Sequence, residues 1–230
     1  MKTIGLIGGM SWESSQEYYR IINERVRERL GGLHSAKSLM YSFDFEEVEQ
    51  LQRKGEWGRL TELLIEAAEN LEKAGADFVI ICTNTMHKMA REVEDSVKIP
   101  LLHIADVTAK KIRERRIKRV GLLGTKFTMA EDFYRARLTG KFGIEVIIPG
   151  KQERQILHNI IYEELCLGVI NQSSKEECGT IIRNLVSNGA EGIVLGCTEI
   201  PLLIKQEGVE VPLFDTTAIH AESAVEYSLK

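Results

Sequence analysis

The 230-residue chain is most constrained at first by what it lacks. Its four cysteines, Cys82, Cys166, Cys178 and Cys197, have no CxxC spacing, which argues against a disulfide framework or a zinc site and leaves any functional cysteine as a free thiol. The longest apolar runs, such as FVII and GIVLG, fall far short of the ~18 residues a membrane span needs. The N-terminus runs straight into MKTIGLIGGM with no cleavage pattern, so a cytoplasmic protein with no membrane partner is expected. Basic blocks stop at RERR, and 30 Lys and Arg against 34 Asp and Glu give a formal charge of −4, which speaks against a nucleic-acid partner. GLIGGM is not G-x-G-x-x-G, so no dinucleotide site is expected. His34, His103, His158 and His220 share no ligand spacing, and no metal is assigned.

What is present is ordered. A hydrophobic fraction of 43% is ample for packed cores. Short β-branched runs alternate with amphipathic stretches: TIGLIGG precedes SSQEYYRIINERVRERLGG, and LTELLIEAAENLEKAGA precedes FVIICTN. In the first helix Tyr19, Ile22 and Val26 fall at three-to-four spacing, Ser14 with Glu17 suggests a capping box, and Gly31–Gly32 close it. Repeated βα units of this kind imply parallel sheets covered by helices.

An internal repeat sets the domain organisation. TIGLIGG (3–9) matches RVGLLGT (119–125) at an offset of 116, GADFVIICTNT (75–85) matches GAEGIVLGCTE (189–199) at 114, and IPLLHI (99–104) matches VPLFDT (211–216) at 112. Three strand-like segments recurring in one order predict an α/β fold of two pseudo-symmetric, doubly wound parallel-sheet domains facing across a cleft. Residues 1–104 with 213–230 are expected to form one domain, and 105–212 the other.

Alignment of the middle pair on GAD and GAE puts Thr83 opposite Cys197 and Cys82 opposite Gly196. Strand side chains alternate faces, so Cys82 and Thr83 point to opposite sides and only one can face a site. Open α/β sheets bind ligands at the carboxyl ends of their strands, where both turns belong. Thr83, Asn84 and Thr85 are placed to cap one following helix, and Thr198, Glu199 and Pro201 the other, a setting that favours a carboxylate. Groups on two sides of a small carboxylate suggest proton removal on one face and delivery on the other. A thiol suits that work, because its pKa of roughly 8.5 can be tuned. The chemistry indicated is that of a racemase or epimerase.

IGLIGGM, CTNTMH, LLGTKFTM and GCTEIPLL together resemble the aspartate/glutamate racemase family of cofactor-independent amino-acid racemases, nearest the branch of L-aspartate/glutamate-specific or broad-specificity enzymes. The resemblance spans the chain and implies a two-domain fold, a homodimer, an amino-acid substrate and no cofactor. The family usually carries a cysteine in each half, the first in a Cys-Asn-Thr motif that here lands on Thr83-Asn84-Thr85. Thr83 and Cys197 are therefore the expected catalytic pair, with Cys82 structural. A threonine hydroxyl is roughly seven pKa units harder to ionise than a thiol, about 9–10 kcal/mol, so Thr83 is expected to relay a proton through Asn84, His87 or a water.

Substrate contacts are expected from Met10 in the glycine-rich turn, Asn84, Thr85, Thr198 and Glu199. Thr125 and Thr128 join them from the matching turn of the second half, and Gln52 from a segment that related racemases use near the substrate. Glu199 is also placed to exchange a proton with Cys197 while raising its pKa. Where aspartate-restricted relatives carry basic residues, this chain has Glu47 and Cys166, which leaves the substrate open. Three alternatives stand beside the racemase: a hydantoin racemase, a one-thiol decarboxylase or isomerase, and an amino-acid-binding protein of weakened activity.

Overall fold

The computed structural model describes residues 1–230, which divide into two compact units, Met1–Ile104 with His220–Lys230 and Ala105–Ile219. The first unit holds β1 (Ile4–Gly8), α1 (Trp12–Leu30), β2 (Ser38–Ser42), α2 (Phe45–Lys54), α3 (Trp57–Lys73), β3 (Phe78–Ile81), a 3₁₀ turn (Thr85–Met89) and α4 (Ala90–Ser96). The second follows with α5 (Ile104–Glu114), β4 (Arg119–Gly124), α6 (Lys126–Ala130), α7 (Asp132–Phe142), β5 (Glu145–Ile147), α8 (Lys151–Glu163), a 3₁₀ turn (Leu165–Leu167), α9 (Gln172–Ser187), β6 (Gly192–Gly196), α10 (Ile200–Leu203) and β7 (Leu213–Asp215). The chain ends in α11 (Thr216–Ser228), which crosses back into the first unit. No helix is long and apolar enough to cross a membrane.

Each unit is built on an all-parallel sheet. The first has strand order β2-β1-β3, extended by a single parallel bridge between Val79 and Leu101. The second has order β5-β4-β6-β7. Every residue of β1, β3 and β6 is buried, as expected of central strands covered on both faces. The core of the first unit joins Ile7, Val79 and Ile81 to Leu60, Leu64 and Val93 of the covering helices. That of the second joins Leu123, Ile193 and Leu195 to Leu157, Ile181 and Leu185.

The sequence repeat is reproduced in the strand pairing. Ile7 pairs with Ile81 as Leu123 pairs with Leu195, at the offsets read from the sequence. Val79 N–H donates to the Pro100 carbonyl, and Ile193 N–H to that of Pro212, both at 2.9 Å. The loops entering β3 and β6 turn on Gly75 (φ 97°) and Gly189 (φ 95°), left-handed conformations that favour glycine.

Three expectations are corrected. Residues 213–219 sit with the second unit, because Leu213–Asp215 pair with β6 and the return to the first unit comes only at His220. The matched segments IPLLHI and VPLFDT already imply this, since Leu101 and Leu213 occupy the same position in their two sheets. In addition, the cap of α1 lies three residues before the expected one: Ser11 is the N-cap, accepting from Ser14 N–H at 3.4 Å. Ser14 and Ser15 are already inside the first turn, where the Ser14 hydroxyl donates to the Cys82 carbonyl (3.2 Å) and Ser15 Oγ accepts from Gly9 N–H (2.7 Å). Tyr18, not Tyr19, is the buried aromatic; Tyr19 is 54% exposed.

The C-terminal helix is fastened to the first unit by His220, which is fully buried. Its Nε2 lies 2.7 Å from the Leu102 carbonyl and must donate, so Nδ1, 2.9 Å from the Tyr18 hydroxyl, accepts. Burial pushes the imidazole pKa down to about 4, against a smaller opposing effect of the bond to Leu102. The unfolded chain takes up this proton near pH 6.5, so the stability His220 contributes is complete above that pH. It is lost progressively as pH falls from 6.5 to about 4, by roughly 3 kcal/mol. Urea midpoints of the parent and His220→Gln, measured between pH 7 and pH 4.5, should converge as pH falls; parallel curves would show that the ring is not a buried neutral group.

Candidate active site

Both sheets reverse their strand order at the same place. In the first unit the chain moves from β1 to β2 on one side and then to β3 on the other, so the carboxyl ends of β1 and β3 form a topological switch point. The ends of β4 and β6 form another. Such points are where open α/β sheets bind ligands, because the flanking helices diverge to opposite faces and leave a crevice. The Met10 turn and Thr83–Thr85 stand at the first point; Thr125 and Cys197–Glu199 stand at the second.

At the first point, Gly9 has φ 82°, and a Cβ there would fall 2.3 Å from the Phe43 carbonyl oxygen, so the chain passes too closely for any side chain. Met10 is buried in the same cluster as Met86 and Val48. Gln52, on α2, is buried, and its amide donates to Met86 Sδ at 3.2 Å, which brings the Gln52 segment against the turn that follows β3. Asn84 and Thr85 are buried and Thr83 is half-buried. Cys82 N–H bonds the Ile7 carbonyl as a last rung of the sheet, while its thiol is 1% exposed and burial pushes its pKa far up. That is a packed, inert sulfur.

His87 lies one turn on. Its Nε2 accepts the Ile104 N–H (3.2 Å), so the proton is on Nδ1, which donates to the Thr83 carbonyl at 2.8 Å. Both ring nitrogens are thus engaged by backbone, and the expected relay from the Thr83 hydroxyl through His87 is not seen. Sequence spacing gives no hint that His103 and His220 pack against this ring, at centroid distances of 4.5 and 5.9 Å. No three His, Cys, Asp or Glu side chains converge in a form that could hold a metal.

At the second point, Thr125 caps α6 by accepting from Thr128 N–H, and the two hydroxyls lie 3.3 Å apart. A Cβ on Gly124 would meet the Gly196 carbonyl oxygen at 2.9 Å and Thr128 Cβ at 3.2 Å, so β4, β6 and Thr128 close on one another because both strands end in glycine. Cys197, Thr198 and Glu199 follow, all buried. One Glu199 oxygen, Oε2, accepts from both the Cys197 thiol (2.8 Å) and the Thr198 hydroxyl (2.9 Å). Burial first, then the Glu199 charge, with further contributions from Cys166 and from the thiol's bond to Glu199, raises the Cys197 pKa well above its ordinary value. Cys197 at rest is therefore a thiol whose proton is directed at a carboxylate oxygen.

The helices after the turns differ from expectation. The first is a five-residue 3₁₀ turn and the second a four-residue helix, and neither Asn84 nor Glu199 makes a side-chain capping bond. The side chains cannot all serve as caps, because Glu199 is drawn back onto Cys197 and the His87 ring occupies the Thr83 carbonyl. Sequence reasoning also passed over the start of α11. Thr216 donates to the Leu195 carbonyl at 2.7 Å, next to the end of β6, and the buried Thr217 hydroxyl has no hydrogen-bond partner.

A duplicated parallel-sheet chain with polar residues gathered at both switch points is an α/β protein of the ligand-binding kind. A family model described as Asp/Glu/hydantoin racemase matches residues 7–224, and the chain belongs to that family of isomerase-type enzymes. A candidate Asp/Glu racemase from Yersinia pestis has a similar structure, with a TM-score of 0.93 and 53% identity over 100% of both chains. An aspartate racemase homologue from Pyrococcus horikoshii OT3 follows at 0.86 and 38%, again over 100% of both. The broad-specificity amino-acid racemase RacX of Bacillus subtilis (strain 168) is 28% identical over 165 residues, 70% of this chain and 69% of RacX.

The Cys197–Glu199 pair makes a direct prediction. Replacing Glu199 by Gln removes the negative charge that raises the thiol pKa, so the midpoint of Cys197 alkylation by iodoacetamide, followed by mass spectrometry, should move to lower pH. The rate at pH 7.5 should rise with it. An unchanged midpoint would mean that burial alone sets the thiol.

Proposed function

We propose that the protein is an amino-acid racemase that works without pyridoxal phosphate or a metal, with Cys197 and Thr83 serving the two faces of the substrate Cα. The observation that carries this reading is the positional equivalence of the two residues. Each lies two positions past a matched pair of strand residues, Ile81 and Leu195, whose pairings with Ile7 and Leu123 agree. Glu199 takes the thiol proton, the thiolate removes the Cα proton, and a water oriented by Asn84 gives a proton to the other face through the Thr83 hydroxyl, the hydroxide it becomes being neutralised by the proton held on Glu199. In the opposite direction the resting thiol is the donor. Because the Thr83 hydroxyl cannot ionise at neutral pH, it passes a proton on rather than standing as an alkoxide, and the two directions are chemically unequal.

Asn84, Thr85, Thr125, Thr128 and Thr198 supply hydroxyl and amide groups for the amino-acid carboxylate and ammonium, with Met10 and Gln52 packing beside the first turn. Aspartate, glutamate or a broader set of amino acids is the proposed substrate class, and the enzyme is proposed to act as a cytoplasmic homodimer. The inequality of the two residues also supports a second reading, a one-thiol reaction in which Cys197 and Glu199 do all the proton transfer.

Inversion and solvent-deuterium entry at Cα, measured by chiral chromatography and mass spectrometry across the twenty L-amino acids, separate these readings. Cys197→Ser should lower both by more than about 1,000-fold, and Cys82→Ala should retain most activity. Thr83→Val should lose inversion and keep deuterium entry from the Cys197 side. Carbon dioxide release without inversion would favour the one-thiol reading, and no exchange with any amino acid would leave a binding protein.

A further inference from the structure

The two turns are held by different means, and the difference falls on the residue least able to ionise. In the second unit the Cys197 carbonyl accepts Ile200 N–H, a backbone bond at 3.3 Å. At the equivalent place in the first unit the Thr83 carbonyl is taken by a side chain, His87 Nδ1–H. The position that aligns with His87 in the repeat is Pro201, which has neither an N–H nor a side-chain donor to offer. The imidazole strap is thus no inheritance of the duplication; it exists only beside Thr83.

The far end of the strap is rigid. His87 Nε2 holds Ile104 N–H, one of the amides that the first turn of a helix leaves without an intrahelical acceptor. The segment leading to Ile104 is fixed at three further points. Pro100 accepts from Val79 N–H (2.9 Å), Leu102 N–H donates to the Val79 carbonyl (3.0 Å), and the Leu102 carbonyl accepts from His220. His103 and His220 pack on the His87 ring. A single neutral imidazole, 3% exposed, therefore bridges two backbone groups and transmits the placement of β3 and α11 to the Thr83 turn.

We propose that His87 is a positioning residue for the proton transfer at Thr83: it fixes the carbonyl, and with it the hydroxyl, of a residue that contributes by geometry and not by acidity. The proposal rests on the assignment of Thr83 to one face of the substrate. A group that relays a proton along hydrogen bonds is more sensitive to misplacement than a free thiolate, and a displacement of about 1 Å can slow such a step about 100-fold.

The test uses the full-length protein and an amino acid it inverts. His87→Phe keeps the ring and removes both bonds, while His87→Asn keeps a donor at the Nδ1 position and loses the reach to Ile104. Thr83→Val and the double variant Thr83→Val with His87→Phe complete the set, and circular dichroism confirms the folded fraction of each. His87→Phe should lower kcat for inversion about 10- to 100-fold with little change in KM. Deuterium entry from the Cys197 side should persist, and His87→Asn should recover most of the loss. The double variant should be no slower than Thr83→Val alone, because the two act through one group. Equal loss of inversion and exchange in His87→Phe, no recovery in His87→Asn, or additive losses in the double variant would show a structural role only and overturn the proposal. If Thr83→Val is inactive and His87→Phe is parent-like, the positioning role alone is overturned. If Thr83→Val inverts like the parent, the two-face assignment itself fails, and the positioning role with it.

Discussion

The parallel pairing of β1 with β3, and of β4 with β6, is the constraint on which the placement of Thr83 and Cys197 depends. In a strand one residue of slip exchanges the two faces, so the register of β3 alone decides whether Cys82 or Thr83 leaves the sheet as the first residue of the turn. That register is pinned from both ends. Below, the Gly75 turn starts the strand and Asp77 N–H bonds the Thr3 carbonyl; above, Cys82 N–H bonds Ile7. The same arrangement in the second unit, with Glu191 bonded to Arg119 and Gly189 in the Gly75 role, releases Cys197 from the sheet and keeps Gly196 in it. Cys82 thus stays in the sheet as packing, and Cys197 leaves it as the first residue of its turn.

From that shared frame the two turns diverge in their surroundings. Cys197 has a carboxylate at hydrogen-bond distance, which holds the thiol in its protonated form. Thr83 has no acidic partner of that kind; its turn is tied down instead by a neutral histidine. An ionisable group tolerates loose placement because its charge acts over distance, whereas a hydroxyl acts only through directed hydrogen bonds. The polar residues of the two turns thus follow from what stands at the first position of each.

The glycines show how backbone proximity prepares these sites. Gly9 allows the chain after β1 to press against Phe43, and Gly124 and Gly196 allow β4 and β6 to end in contact, with Thr128 seated on both. Side chains at these places would lift the turns off the sheet. The hydroxyls that cluster there, Ser11, Ser14, Ser15 and Thr125, serve first to satisfy backbone groups that the close approach leaves buried.

The sequence by itself determined the fold class, the duplication and the register, because parallel-sheet strands announce themselves as short apolar runs and the repeat supplies two readings of each. It also identified the family and set Thr83 and Cys197 at equivalent positions of the two halves. What it misplaced were ends: the cap of α1, where several serines compete and only the folded turn shows which one bonds Ser14 N–H, and the return of the chain at His220, which depends on what Leu213–Asp215 pair with. What the tertiary structure alone decided were the partners of side chains far apart in sequence. His220 reaches Leu102 and Tyr18, and His87 reaches Ile104, through packing that no spacing rule encodes. The direction in which the Cys197 thiol is tuned could be guessed from Glu199 two residues away. That one carboxylate oxygen serves both the thiol and the Thr198 hydroxyl follows only from how the turn closes in a buried space, where every polar atom must find its bond.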